Sequence, residues 1–408
     1  NGGAQAAHTV VTPEGATHTF AQWGSGTFHK GVRTYLSQHM LVDPLALINE
    51  EAHLRSALVD DGYARMYIDE RALLITPFAR ALNRLREFAR NDARHGSCGM
   101  GIGETVEDAV REGEFALRMG DVRDANILKQ KLVLQRERMH VVAADSIKDV
   151  TLSTLMVQEW KLLCEDNPHV LTNILSGCAT VLNSAHIVSP DWVKSLFKED
   201  GVIIFEGAQG VLIDQDVGFH PYTTWSDTTT NNAKHILADN EWRGEVKTLG
   251  VLRAYATRHG PGPFVSEDSK LTALLPDSHN VWNDWQRDFR VGWFDAVATR
   301  YAVASTNGVD ALAITNLDRM AELPQWSVVT QYQIGNAVFP DIALCGGEGE
   351  ERTRLLITAK PIVETMVNTG DVQKFITLIE REVDATVLVE GTGASRDKKV
   401  WKGEIIAL

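Results

Sequence analysis

Apolar and polar positions divide the chain into strand-sized and helix-sized segments that follow one another in an α/β order. His8-Thr-Val-Val11 is strand-like. Thr17 to Thr27 reads as a strand running into a glycine-rich turn, Gln22-Trp-Gly-Ser-Gly26, which serves either as a hairpin corner or as a ligand loop. From Thr76 the period becomes helical: Thr76 suits an N-cap, Pro77 the first turn, and Phe78, Leu82, Leu85 and Ala89 share a face. Arg80, Arg84, Arg90 and Arg94 fall off that stripe and are expected on a solvated face. Residues 124–139 and 153–165 have the pattern of amphipathic outer helices. Ser189-Pro190-Asp191 opens a helix ahead of Val202-Ile-Ile-Phe205, a continuous β-branched and aromatic run that predicts a strand buried on both faces. Strand patterns recur at 246–255, 309–314 and 385–389, helical ones at 294–306 and 371–382, and 332–337 reads as a hairpin. The order predicts a single α/β domain over residues 1–408, a twisted and mostly parallel sheet with helices on both faces.

Polar residues gather where these strands end. In an open α/β sheet, ligands bind in the crevice beyond the strands' carboxyl ends. After Phe205 that position holds Glu206, a glycine-flanked Gln209 and, further on, Thr223 and Thr224. A glutamine between small residues can offer its amide, donor and acceptor together, to the edge of a planar ring. A second glycine-rich stretch, His95-Gly-Ser-Cys-Gly-Met-Gly-Ile-Gly103, reads either as a nest of N–H groups for an anion or as a plain flexible loop. Thr105 to Asp108 are expected to cap the helix that follows. Cys98 is a conceivable thiol nucleophile, but the sequence identifies no base beside it.

Composition narrows the class. With 408 residues, 44% of them hydrophobic, the chain can bury a large core. A formal charge of −14 excludes a nucleic-acid binder, since neutralising phosphates needs a basic face, so an anionic nucleotide requires a local cluster of donors. The four cysteines are irregularly spaced, with no zinc-type pattern, which implies a reduced, cytoplasmic compartment. No apolar run approaches the roughly 20 residues of a membrane span, so a soluble protein without a membrane partner is expected.

The segment Phe205-Glu-Gly-Ala-Gln-Gly210, with Asp214-Gln-Asp216, Pro221-Tyr-Thr-Thr224 and Asp227-Thr-Thr229, resembles the central signature of the adenylosuccinate synthetase family. Five further blocks are similar to family motifs in the same order: Gly2-Gly-Ala-Gln-Ala-Ala-His-Thr-Val-Val11, Gly99-Met-Gly-Ile-Gly103, Ala254-Tyr-Ala-Thr-Arg-His-Gly-Pro-Gly-Pro-Phe264, Gly292-Trp-Phe-Asp-Ala-Val297 and Thr315-Asn-Leu-Asp318. Gly391-Thr-Gly-Ala-Ser-Arg396 resembles the family's base-binding loop. Family members carry a G-D-E-G-K-G phosphate loop upstream of the segment matching Gly2 to Val11. The resemblance therefore implies a strand–loop–helix unit of roughly 30 residues that is not in this chain.

The resemblance implies a ligase that phosphorylates O6 of a purine nucleoside monophosphate and then displaces the phosphate with L-aspartate. It makes His8 the general acid and Gln209 the residue that meets the purine. Gln5, Ser97, Cys98 and Thr224 fall near the monophosphate, His259 and Gly260 with the substrates, and Arg287 and Arg290 at the aspartate. Asn316, Asp318, Thr392 and Gly393 fall at the base of the triphosphate, GTP or ATP, and the backbone carbonyl of Ala7 at Mg²⁺. A cytoplasmic homodimer is implied as well. Several positions depart from the family pattern: Gln5 replaces an asparagine, Ser97 and Cys98 two threonines, Asn316 a lysine, and Phe289 one arginine of the aspartate loop. Three functions are consistent with this: an IMP-using synthetase, a (d)GMP-using and ATP-dependent one, or a nucleotide-binding pseudoenzyme or interaction protein.

Overall fold

Strand His8–Val11 doubles back on Thr17–Phe20 as an antiparallel hairpin with His8 opposite Phe20. The structure is a computed structural model that describes residues 2–57, 59–277, 280, 282–367 and 370–403. In its N-terminal half, Gly2–Gly3, Met40–Val42 and Leu73–Leu74 run parallel, as do Thr34–Leu36, Met66–Asp69 and His186–Val188. Helices Pro44–Ser56, Pro77–Ala89, Ala125–Ile147, Thr154–Cys164 and Pro168–Ser184 cover these strands and close a core that includes Phe20, Leu47, Leu82, Leu85, Met139 and Val181. In the C-terminal half, Leu249–Arg253, Ala311–Thr315 and Val387–Gly391 are parallel neighbours, with Lys399–Trp401 antiparallel at the edge. A mixed sheet, Phe294–Asp295, Gln325–Ile334, Ala337–Phe339 and Lys360–Val367, lies beside them. Its core centres on Tyr255, Leu312, Trp326 and Phe375.

The helix expected from Thr76 forms as Pro77–Ala89: the Thr76 hydroxyl accepts the Ala79 N–H at 3.2 Å, and Phe78, Leu82 and Leu85 are buried. Truncating one of those leucines to Ala would cost about 2–5 kcal/mol in transfer and cavity terms. Ser153, Asp371 and Asp295 likewise cap their helices through side-chain oxygens.

Other expectations are corrected. The predicted arginine face of the 77–89 helix is not solvated: Arg80 pairs with Asp43, Arg84 with Glu159 at 2.6 Å and Arg90 with Glu87, while Arg94 donates to Asp284 O at 2.8 Å. A chain with this many half-buried arginines satisfies them with carboxylates rather than water. Thr105 to Asp108 lie inside helix Ile102–Glu112, which starts after Gly101 in the left-handed conformation. Beyond the strand pattern expected to end at Tyr255, Ala256–His259 forms a further strand, paired antiparallel with Phe289–Gly292. Most strikingly for the centre of the chain, Val202 to Phe205 form no strand, and all four side chains are exposed, Ile204 by 84%. A strand needs a neighbour to satisfy its backbone, and among the described residues none pairs with this run. The parallel strands that do form are shared among separate sheets. No helix among the described residues is long and apolar enough to cross a membrane, and the four cysteines are free.

Candidate active site

Exposed residues 202–205 and half-buried Glu206 form part of the wall of a cleft of about 3700 Å³, several times the ~300–1,000 Å³ of a single small-ligand pocket. Gln5, His8, Ser97, Cys98, Gln209, Thr224 and His259 all line it. Ala7, Gly260, Arg287 and Arg290 lie off that lining.

At one wall, His8 Nδ1 is 2.6 Å from Glu206 Oε1. The Ser25 hydroxyl donates to the same oxygen and the Ser25 N–H donates to Oε2 at 2.9 Å. Burial by itself raises the Glu206 carboxyl, but the hydrogen bonds from His8 and Ser25 outweigh it and leave the group below its ordinary range. Ser25 opens the short helical turn Ser25–Phe28, and buried Glu50 fixes the chain before it by accepting the N–H groups of Ala21, Gln22 and Trp23. Gln5 sits on the loop ahead of His8 with both amide atoms buried and unbonded.

The glycine-rich loop is pinned to the helix beneath it. Asn83 Oδ1 accepts the Ser97 hydroxyl at 2.8 Å and the Gly101 N–H at 3.4 Å, while Asn83 Nδ2 donates to Glu104 at 3.2 Å. Fully buried Glu87 accepts the Gly96 N–H at 3.1 Å. A side chain at Gly101 would strike the backbone of Ala79 and Arg80 at 2.7 Å, so the loop can pack this closely only with glycine there. Burial pushes the Cys98 thiol up, which leaves less thiolate and argues against a nucleophile.

Across the cleft, buried Asp214 organises the loop that carries Thr223 and Thr224. Its carboxylate accepts the N–H groups of Asp216, Val217 and Thr228 at 2.8, 3.0 and 2.6 Å. Gln209, exposed, adopts the left-handed conformation (φ 68°) next to Gly2. Arg258 is half-buried with no carboxylate partner among the described residues, where it donates to Pro261 O at 2.8 Å and Tyr222 O at 3.5 Å. Burial, with Arg290 nearby, brings its pKa down to about 10. Arg290 itself is occupied by Glu267 and by the carbonyls of Gly260 and Gly262. The His259 ring meets the Arg287 carbonyl at 3.2 Å, and the Arg287 side chain is exposed.

Asn316, Asp318, Thr392 and Gly393 come together at the carboxyl ends of two adjacent parallel strands, Ala311–Thr315 and Val387–Gly391. Asn316, left-handed at φ 62°, donates to the Tyr255 hydroxyl at 3.3 Å, and Lys399 binds the carbonyl of Gly393 at 2.5 Å. Burial lowers the Lys399 pKa, with Asp318 partly offsetting it. The 391–396 loop also touches the His8 hairpin through a bridge between Val11 and Ser395, and Arg396 meets His29, just after the Ser25–Phe28 turn, at 3.2 Å.

No three His, Cys, Asp or Glu side chains among the described residues converge as metal ligands. The protein's own part in a Mg²⁺ shell would be a single carbonyl at Ala7, so these residues do not by themselves make a magnesium site. The sequence did not single out Ser25, Asn83, Glu87, Asp214 or Arg258. Ser25 lies inside the 22–26 turn, Arg258 inside the 254–264 block and Asp214 inside the central signature, but none of these patterns marks the residue's own contacts.

A family model described as "Adenylosuccinate synthetase" matches residues 1–400. The adenylosuccinate synthetase of Acidithiobacillus ferrooxidans is 30% identical over 426 residues, covering 99% of this chain and 92% of the relative. That of Pelodictyon phaeoclathratiforme is 28% identical, covering 98% and 90%. In fold, the chain is similar to the fully ligated adenylosuccinate synthetase of Plasmodium falciparum, with a TM-score of 0.77 at 18% identity and coverage of 99% and 92%. It is also similar to the succinoaminodeoxyadenylate synthetase of cyanophage S-2L bound to dGMP and dATP as an energy donor, with a TM-score of 0.57 at 16% identity and coverage of 98% and 85%.

Proposed function

The chain belongs to the adenylosuccinate synthetase family, a family of ligases, and on that premise we propose that it joins L-aspartate to a purine nucleoside monophosphate, IMP, at the expense of GTP. The observation that carries this reading is the shared cleft: His8, Gln5, Ser97, Gln209 and Thr224, far apart in sequence, face one cavity large enough for more than one substrate. Transfer of the γ-phosphoryl to O6 turns a poor leaving group into phosphate, and the aspartate amine then forms the new C6–N bond as the C6–O bond breaks. Protein groups contribute mainly by positioning and by charge stabilisation. The His8 imidazole supports charge on the transferring phosphoryl and at O6. The Gln209 amide reads the purine edge, and Thr224 with the Ser97 loop holds the 5′-phosphate. Arg258, a half-buried cation with no carboxylate partner among the described residues, favours an anionic substrate beside it. Asn316, Asp318, Thr392 and Gly393 are proposed to meet the base of the triphosphate, and His259, Gly260, Arg287 and Arg290 to frame the aspartate side. The Ala7 carbonyl is the one protein group proposed to reach a Mg²⁺ ion carried in with the triphosphate, which would neutralise phosphate oxygens. The working unit is proposed to be a cytoplasmic homodimer in which residues 1–408 act as one domain.

A second reading, (d)GMP with ATP, is favoured by Gln5, whose buried amide lacks both partners. The 2-amino group of a guanine adds a donor that such an amide can accept. Membership in a family of ligases weighs against the pseudoenzyme reading. His8→Ala tests the proposal: turnover should fall by about 10²- to 10⁴-fold while monophosphate affinity stays within a few-fold. Wild-type turnover in that variant would refute the role of His8.

A further inference from the structure

We propose that Glu206 is a positioning residue that sets which imidazole nitrogen of His8 faces the reaction, and that Ser25 holds Glu206 in place to do so. The inference rests on the role of His8 proposed above. With 32% of its side chain exposed, the His8 ring is free to turn unless something tethers it. Its tether is Glu206 Oε1, 2.6 Å from Nδ1. An ionised carboxylate can only accept, so Nδ1 must carry hydrogen whether the ring is neutral or charged. Nε2 is then the nitrogen left for chemistry: a lone pair when the ring is neutral, a proton to donate when it is charged.

Glu206 needs its own anchor, because residues 202–205 are exposed and belong to no sheet. That anchor is Ser25, whose N–H reaches Oε2 at 2.9 Å and whose hydroxyl reaches Oε1. A Cβ at Gly24 would lie 3.3 Å from Thr34 Oγ1 and 3.6 Å from Glu206 Oε2, so a small residue there lets the turn approach. The 22–26 turn thereby delivers Ser25 to the carboxylate behind His8. Carboxylate, imidazole and reacting group in series is an arrangement in which removing the carboxylate lowers rate by disturbing tautomer and orientation.

The competing explanation is a cross-link that merely stitches the 202–206 segment to the hairpin, and the experiment must separate the two. Full-length chain carrying Glu206→Gln, Glu206→Asp, Ser25→Ala or His8→Ala is assayed for kcat and KM. The His8 tautomer is read in parallel by long-range ¹H–¹⁵N NMR. Glu206→Gln should lower kcat by about 10- to 100-fold with KM for the monophosphate within about 3-fold, and should shift the neutral ring away from the Nδ1–H form. Glu206→Asp, which keeps a carboxylate, should recover part of the rate, and Ser25→Ala should give a smaller loss in the same direction. If His8→Ala is inactive but Glu206→Gln matches wild type, or loses activity with the tautomer unchanged, the positioning role is overturned while that of His8 stands. If His8→Ala is itself fully active, the reading beneath it fails and this one with it.

Discussion

The Ser97 hydroxyl donates to Asn83 Oδ1 across 2.8 Å, joining the glycine-rich loop to the helix that starts at Thr76. Asn83 is buried and also serves Gly101 and Glu104. Asn83→Ala strips a partner from all three at once. We predict a loss of about 1–3 kcal/mol in unfolding free energy, the cost of leaving buried groups unpaired, together with weaker monophosphate binding. Denaturant titration and calorimetry check this; unchanged values in both would show that the loop is held by other contacts.

Arg258 is expected to behave in the opposite way. Its partial burial, with no carboxylate partner among the described residues, makes the unliganded state bear part of the desolvation of a cation, which an arriving anion relieves. Arg258→Met should therefore leave thermal stability equal to wild type or higher while weakening monophosphate binding by about 10- to 100-fold, the usual worth of a charge-assisted hydrogen bond. A variant that unfolds early and binds normally would assign Arg258 to holding the Pro261 and Tyr222 carbonyls alone.

Glu206 also carries a pH signature. Its carboxyl sits below the ordinary value of 4.5 in the folded chain, because bonds from His8 and Ser25 outweigh burial. The unfolded state then binds more protons through that range, so this contribution to stability is present above the ordinary value and lost as pH falls through the folded one. The gap in melting temperature between wild type and Glu206→Gln should be full well above the ordinary value of 4.5 and should narrow as the pH falls below it. A gap that widens on acidification would contradict the assignment.

Local signals were the legible ones. Thr76, Pro77 and the Phe78/Leu82/Leu85 spacing define a helix from within about one turn of itself, and Asp371 caps the helix after it in the same way. Val202 to Phe205 were misread because an apolar run states only that a strand can form; its pairing is set by residues elsewhere in the chain. The arginines at 80 and 84 escape a local reading for the same reason, since Asp43 and Glu159 lie 37 and 75 residues from their partners. In the site, blocks such as Gly391 to Arg396 are recognisable because they resemble short contiguous motifs of the family. The Glu206–His8 contact was not, because it spans 198 residues, and Ser25 was hidden inside a turn whose bonds no periodicity reveals.

The most direct measurement is formation of succinyl nucleotide by the full-length chain with Mg²⁺ and L-aspartate, supplying IMP, GMP or dGMP and either GTP or ATP. Aspartate-dependent product from IMP with GTP is the predicted result. Product from GMP or dGMP with ATP alone would move the assignment to the second reading, and no product from any pairing would contradict the ligase reading itself.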